Sequence, residues 1–263
     1  MPRRLAVIGY PLGHTLSPRI HGAAIRALGL ELTYEAVETP PPQLEGFLDE
    51  LRGPGWLGCN VTVPHKLAVM AFMAELSDET RAIGAVNTIV NRGGSLEGYN
   101  TDAQGFLADV QEHFGAVDGK RVVVLGAGGA ARAVSYALRD RAERAWVLNR
   151  SSDRAESLVR ELGGALRQGN QAHLRGCQLL VNCTSAGLHE GDSPIPDELV
   201  PEGMQLYDLI YNPAVTRLMR VVSERGGRAV NGLGMLVRQA AGAFRIWTGL
   251  EPPLDAMFEA ARA

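Results

Sequence analysis

Short apolar runs alternate with segments of helical periodicity along most of the chain. The elements predicted in the first third are strands at 4–9, 32–37 and 57–63 and helices at 18–29, 43–52 and 65–75. Strands separated by helices are typical of βαβ units. The pattern therefore predicts an α/β domain with a mainly parallel sheet.

This alternation breaks at residues 86–100, where a β-hairpin is predicted. Two β-prone runs flank residues 92–94, Arg-Gly-Gly, and glycine in such a position is typical of a hairpin turn. A helix predicted at about 103–114 follows, and Asp-Gly at 118–119 marks another turn. The first alternating unit therefore ends in this region.

A second alternating unit begins at residue 121 with the strand RVVVL, and its later strand-like runs are AWVLN, QLLVNCT, QLYDLI and RAVNG. The last segment, about 233–261, is helical and falls outside this second unit. We therefore predict two α/β domains. One comprises residues 1–100 plus about 238–263, and the other comprises residues 101–237.

The composition is that of an ordinary globular protein, which excludes several functional classes. The chain has 263 residues, of which 46% are hydrophobic and 21% charged. A net charge of −3 offers no electrostatic platform for nucleic acid. No stretch of 18 residues lacks a charge, so the sequence predicts no membrane span.

Cysteine and histidine usage favours a cytoplasmic protein without a metal. The three cysteines are odd in number and scattered, which suits a reducing compartment better than a disulfide framework. The apolar run near the N-terminus is too short for a signal peptide. The six histidines show no spacing typical of metal ligands, so we predict no metal site.

Residues 121–132, RVVVLGAGGAAR, carry a dinucleotide-binding pattern. An apolar strand runs directly into Gly126-x-Gly128-x-x-Ala131, and a helical pattern follows. The glycines allow a tight turn and a close approach of the backbone to a pyrophosphate, which the helix N-terminus attracts. The alternative is a glycine-rich turn between strand and helix that binds no ligand.

The end of the next strand favours NADP over NAD. An NAD-binding unit would carry an acid after the strand at 145–148, but the sequence there is Asn149-Arg150. A guanidinium at Arg150 can pair with the 2′-phosphate of NADP in bidentate fashion. Arg154 lies within reach of the same phosphate if a helix begins near 151–152. The alternative is a chance arginine in an arginine-rich chain.

Candidate chemistry in the first domain centres on one of the chain's two lysines. Of its 26 basic residues only Lys66 and Lys120 are lysine, and Lys66 follows a strand that ends near Pro64. A helix predicted to begin at about His65 would place Lys66 in its first turn, where the dipole disfavours cations. Such a lysine points to a ligand or an acid, although a solvated surface lysine is the alternative.

Several other polar residues are ambiguous by themselves. Thr101 or Asp102 can cap the helix that follows, and Asn87 can serve a turn. Ser17 can be an N-cap, with Pro18 at the first helical position.

Taken together, these segments resemble the shikimate dehydrogenase family along nearly the whole chain. The motifs that carry the resemblance are IGYPLGHTLSP at 8–18, NVTVPHK at 60–66, GAVNT at 84–88, GYNTD at 98–102, GAGGA at 126–130, NR at 149–150, NCTS at 182–185, YD at 207–208, YNP at 211–213 and residues 232–239. The departures are small: Thr15 stands where serine is common, His65 where an aromatic is common, and Arg238 where histidine is common.

The resemblance implies NADP-linked interconversion of shikimate and 3-dehydroshikimate, a step of aromatic amino-acid biosynthesis. It also implies an N-terminal α/β substrate-binding and catalytic domain, a Rossmann-like NADP domain and a cleft between them. Lys66 and Asp102 would be the catalytic pair. The substrate-binding residues would be Thr15, Ser17, Thr62, Lys66, Asn87, Asp102, Tyr211 and Gln239. The cofactor-binding residues would be Gly126, Ala127, Gly128, Gly129, Ala130, Asn149, Arg150, Arg154, Leu209 and Gly232.

The chemistry of a ketone reduction suits this assignment. An ammonium at Lys66 can stabilise the developing alkoxide and give it a proton, and a carboxylate at Asp102 can orient the lysine. Two alternatives stay open: a quinate/shikimate dehydrogenase of relaxed specificity, since a methyl at Thr15 could alter the carboxylate pocket, and a non-catalytic NADP sensor. Both keep a small-molecule ligand, and the sequence leaves a homodimer open.

Overall fold

The computed structural model describes residues 2–13 and 15–263, so His14 of the opening motif lies outside the described residues. The chain divides into two compact units, Met1–Gly105 with Leu236–Ala263, and Phe106–Met235. These limits differ by a few residues from the predicted domain boundaries, which lie between residues 100 and 101 and between residues 237 and 238. The start of the helix after Asn100 stays with the first unit, where the Thr101 backbone N–H donates to Asn87 Oδ1.

Up to residue 114 the chain forms, in order, β1 (Arg3–Gly9), α1 (Ser17–Ala27), β2 (Leu32–Glu38), α2 (Leu44–Leu51), β3 (Trp56–Val61), β4 (Glu75–Leu76), α3 (Asp78–Ile83), β5 (Thr88–Arg92), β6 (Ser95–Tyr99) and α4 (Asp102–Phe114). The second unit continues with β7 (Arg121–Leu125), α5 (Gly129–Leu138), β8 (Arg144–Leu148), α6 (Ser152–Leu162), β9 (Leu166–Gln168), β10 (Leu179–Asn182), β11 (Gln205–Asp208), α7 (Arg217–Glu224) and β12 (Arg228–Asn231). The last helices are α8 (Leu233–Thr248) and α9 (Leu254–Arg262).

The sheet of the first unit has the order β2-β1-β3-β5-β6-β4. The β1–β2, β1–β3 and β4–β6 pairs are parallel, and β5 pairs with β3 and β6 in antiparallel fashion. The predicted hairpin is therefore confirmed. Gly93 and Gly94 form its turn with φ of 63° and 97°, a left-handed conformation that favours glycine.

Helices cover both faces of this sheet. Successive residues of a strand point to opposite faces, so neighbouring residues of β1 pack against different helices. On one face, Ala6 and Ile8 pack in a cluster with Leu48 of α2. On the other face, Leu5 packs with Trp247 of α8. Burying a side chain such as Leu5 or Ile8 stabilises the fold by about 1.5–3 kcal/mol. This explains why β1 and β3 read as apolar runs without alternation.

The helix predicted at 65–75 is wrong. The chain there forms a turn, a 3-10 helix at Ala68–Phe72 and then β4. Long-range hydrogen bonds override the helical pattern, since the Ala74 N–H donates to the Leu96 carbonyl and the Val86 N–H donates to the Lys66 carbonyl. Lys66 therefore lies in a turn, and the argument from a helix dipole does not apply to it.

The second unit has an all-parallel sheet of order β12-β11-β10-β7-β8-β9, the arrangement of a dinucleotide-binding fold. The predicted strand–glycine–helix unit is confirmed, with β7 running into Gly126 and α5 beginning at Gly129. The fold class predicted from the sequence is therefore confirmed. Within the described part of the chain, no helix is both long and apolar enough to cross a membrane.

A fully buried histidine lies in the core of the first unit. The His21 ring stacks on Tyr34, with centroids 4.2 Å apart, and also contacts Phe244 and Trp247. Neither ring nitrogen has a hydrogen-bond partner of good geometry among the described residues. Burial lowers the pKa of His21 to about 3, and nearby Asn60 opposes part of that shift. The imidazole is therefore neutral in the folded protein at physiological pH.

We expect this histidine to make the fold sensitive to acid. The pKa of His21 in the folded protein lies below the ordinary value of 6.5. The neutral ring therefore contributes fully to the free energy of unfolding above pH 6.5, and this contribution is lost as the pH falls towards 3. When the pH is lowered from about 7 to about 5, the unsubstituted protein should lose about 2 kcal/mol more unfolding free energy than His21→Phe does, because the variant has no imidazole to protonate on unfolding. Urea denaturation at both pH values measures the difference, and an equal loss in both proteins would contradict it.

Candidate functional site

A lysine–carboxylate pair forms the centre of the candidate site in the first unit. Lys66 Nζ lies 2.5 Å from Asp102 Oδ2, and the two side chains are only 12% and 5% exposed. Lys66 is held in its turn by the hydrogen bond to its carbonyl, and Asp102 begins α4, its N–H donating to Asn100 Oδ1. The ammonium is therefore fixed by elements far apart in the sequence.

The amide of Asn87 orders the other side of the carboxylate. Its Nδ2 donates to Asp102 Oδ1 at 2.9 Å and lies 3.2 Å from Gln239 Oε1. Its Oδ1 accepts from the Thr101 N–H and from the Thr88 hydroxyl, each at 2.9 Å. These contacts leave the amide one orientation. The structure thus brings four predicted site residues together: Lys66, Asn87, Asp102 and Gln239.

Two residues that support this cluster were missed by the sequence analysis. Asn60 Nδ2 donates to the Asn87 carbonyl and to Thr88 Oγ1, each at 3.2 Å. Asn60 Oδ1 accepts from the Tyr34 hydroxyl at 2.7 Å. The available signal was an amide inside an apolar strand, because a buried polar side chain there needs partners.

Three predicted hydroxyl residues follow the carboxyl ends of β1 and β3. Ser17 does not cap α1 but is its first residue, so the N-cap interpretation is wrong. Its N–H donates to Thr15 Oγ1 at 3.3 Å. Thr62 follows β3, and its methyl group lies where any side chain at Gly9 would have to go. Because parallel strands end at one edge of a sheet, these hydroxyls share an edge.

In the second unit the glycine loop forms a candidate anion-binding cradle. Gly126 has a φ of 107°, and a side chain at this position would press against the Cys183 carbonyl. Gly128 precedes the first turn of α5, and no side chain among the described residues caps that helix, which leaves its first N–H groups available to a ligand. The residues of this cradle are Gly126, Ala127, Gly128, Gly129 and Ala130. The cradle fits a pyrophosphate.

The candidate 2′-phosphate residues lie beyond β8. The Asn149 side chain donates to the Ser151 carbonyl at 2.9 Å and so orders the start of α6. Arg150 precedes this helix and Arg154 lies in its first turn, both exposed to solvent. Two exposed cations beside one helix N-terminus fit a dianionic phosphate.

Leu209, Tyr211 and Gly232 also lie in the second unit. Leu209 and Tyr211 follow β11, and Gly232 follows β12 with the Leu209 backbone occupying the space of a side chain. Tyr211 therefore belongs to the unit that holds the predicted cofactor residues, whereas the other predicted substrate residues belong to the first unit. Across the described residues, no cluster of three or more His, Cys, Asp or Glu could hold a metal ion.

A parallel dinucleotide-binding sheet and a separate lysine–carboxylate pair define a two-domain α/β oxidoreductase. The chain belongs to the shikimate dehydrogenase family. Three family models match it: the shikimate dehydrogenase substrate binding domain at residues 7–89, shikimate / quinate 5-dehydrogenase at 108–189, and the shikimate 5′-dehydrogenase C-terminal domain at 232–262. The resemblance inferred from the sequence motifs is therefore confirmed.

Curated relatives and solved structures agree with this family. The chain is 46% identical to a shikimate dehydrogenase (NADP(+)) of Thermus thermophilus, with 98% of this chain and 97% of that protein covered. It is 43% identical to that of Symbiobacterium thermophilum, covering 99% and 94%. The crystal structure of the enzyme from another Thermus thermophilus strain, with NADP(H) and shikimate, superposes with a TM-score of 0.90 at 45% identity, covering 99% of this chain and 98% of that one.

Proposed function

We propose that the protein catalyses the NADP-dependent, reversible reduction of 3-dehydroshikimate to shikimate. The observation that carries the proposal is the nearly buried Lys66–Asp102 pair, held by Asn87 in a chain of this family. The first unit binds the substrate and the second binds NADP. The odd number and scattered positions of the three cysteines suit a cytoplasmic location.

The proposed chemistry needs a hydride and a proton. NADP, when bound, supplies or accepts the hydride at its nicotinamide. Lys66 Nζ stabilises the alkoxide that develops at the substrate carbonyl and gives it a proton. Asp102 holds the ammonium in place and accepts a hydrogen bond from the neighbouring substrate hydroxyl.

The remaining polar residues bind and orient the substrate. The hydroxyls of Thr15 and Ser17 bind its carboxylate. Four further residues complete the site through hydrogen bonds to the ring hydroxyls: Thr62, Asn87, Tyr211 and Gln239. The cradle at 126–130 would hold the pyrophosphate, and Leu209 and Gly232 would lie near the nicotinamide.

Initial rates of nicotinamide reduction test this proposal directly. We expect fast turnover with shikimate and NADP, and much slower turnover when quinate replaces shikimate or NAD replaces NADP. Comparable rates with quinate would instead indicate relaxed specificity, with Thr15→Ser as the next variant. Folded protein that binds NADP but turns over none of these pairs would support a non-catalytic sensor and reject the proposal.

A further inference from the structure

Two fully buried polar residues end neighbouring strands of the second unit. Asn182 is the last residue of β10 and Asp208 the last of β11, and the two are paired in the parallel sheet. Both are 0% exposed, and Asn182 Nδ2 donates to Asp208 Oδ1 at 2.9 Å. They lie at the carboxyl edge of the sheet, where ligands bind in folds of this class.

The Asp208 carboxylate holds both ends of the loop at residues 209–216. Its Oδ1 accepts from the Ile210 N–H at 3.1 Å, and its Oδ2 accepts from the Thr216 hydroxyl at 2.8 Å. Thr216 in turn caps α7 by accepting from the Met219 N–H. One carboxylate therefore restrains the start and the end of the loop on which Leu209 and Tyr211 lie.

Asn182 restrains the adjacent loop in the same way. Its Oδ1 accepts from the Thr184 N–H at 3.0 Å and from the Thr184 hydroxyl at 2.7 Å. Its Nδ2 lies 3.3 Å from the Ala186 carbonyl. The Asn182–Asp208 hydrogen bond thus joins two loops at one edge of the sheet.

Burying this carboxylate costs stability. Its partners are a hydroxyl, a side-chain amide and a backbone N–H, all of them neutral, and burial raises the pKa of Asp208. A buried charge of this kind is often neutral or harmful to stability when compared with an uncharged group of similar shape. Its place between two loops at the ligand edge points to a functional reason.

We propose that Asp208 is a positioning residue for hydride transfer, which fixes loop 209–216 so that Leu209 orients the nicotinamide and Tyr211 orients the substrate. This inference rests on the proposed function. Asp208 itself touches neither reactant in this role but acts through the two loop residues. Small displacements of reacting groups lower rates steeply, so loss of the restraint should slow the chemical step.

The variant Asp208→Asn keeps the shape and removes the charge. Its amide oxygen must still face the Ile210 N–H, so its NH2 group faces the Thr216 hydroxyl, which can no longer donate there. We expect kcat with shikimate and NADP to fall roughly 10-fold or more. The deuterium isotope effect on kcat should rise as hydride transfer becomes more rate-limiting. The fluorescence of bound NADPH should change, because the nicotinamide environment changes.

Three controls separate this role from a general loss of structure. The Kd of 2′,5′-ADP, which carries only the adenosine half of the cofactor, should stay within about two-fold, since the restraint acts elsewhere. Asp197→Asn removes an exposed carboxylate that pairs with Arg217 at 2.8 Å and should leave kcat unchanged. Thr216→Ser keeps the hydroxyl that donates to Asp208 and should retain turnover.

Unchanged kcat, isotope effect and NADPH fluorescence in Asp208→Asn would overturn the inference, as would a parallel loss of 2′,5′-ADP affinity. If the unsubstituted protein shows no turnover of shikimate, the proposed function fails instead. The fluorescence of bound NADPH then still decides whether Asp208 orders the nicotinamide end of the site.

Discussion

Replacing Lys66 by alanine is expected to lower kcat for shikimate oxidation by about 10³-fold, within the range of general acid–base catalysis. The ammonium is nearly buried against Asp102, so a water molecule cannot replace it with the same geometry. The affinity for NADP should change little, because the cofactor residues lie in the other unit. Turnover should therefore fall far more than binding.

Two further variants make the experiment specific. Lys66→Arg keeps the charge but cannot release a proton at useful pH, so it should also fail. Lys120→Ala removes the chain's other lysine, whose Nζ donates to the Phe114 carbonyl at 2.6 Å, and should keep kcat. Thermal unfolding must accompany the rates, since Lys66→Ala leaves a buried carboxylate without its cation. A folded Lys66→Ala protein with most of its kcat would exclude the proton-transfer role.

Removing both candidate phosphate arginines is expected to raise the KM for NADP by about 10²-fold. Hydrogen bonds to charged groups contribute about 1.5–3 kcal/mol each to binding. Because both arginine side chains are exposed to solvent, we expect each to contribute near the lower end of that range. In Arg150→Ala/Arg154→Ala, kcat/KM with NAD should change little, because NAD has no 2′-phosphate. The preference for NADP over NAD should therefore largely disappear.

Steady-state rates with both cofactors measure this change. Arg160→Ala is the matched control, since Arg160 is an exposed arginine farther along α6, near Ser157. It alters net charge without touching the proposed phosphate site, so it separates a local contact from a general electrostatic effect. An equal loss with NADP and NAD in the double variant would contradict a 2′-phosphate site at these residues.

The sequence determined those parts of the molecule whose signals are local. An apolar strand, a glycine loop and a helix follow each other within residues 121–138, so their geometry depends on neighbours in the chain. The turn glycines and the replacement of an acid by Arg150 are equally local. These signals were sufficient for the α/β fold, the hairpin and the dinucleotide-binding domain.

Tertiary structure decided what depends on distant partners. The segment at 65–75 has a helical pattern but forms a turn and a 3-10 helix instead, because long-range hydrogen bonds fix its two ends: the Lys66 carbonyl accepts from the Val86 N–H, and the Ala74 N–H donates to the Leu96 carbonyl. The Tyr34–Asn60 hydrogen bond that supports the site and the Asn182–Asp208 hydrogen bond between two loops likewise join residues from different strands. A single residue type and its spacing cannot reveal such contacts, since the chain must first fold to bring the two groups within hydrogen-bonding distance.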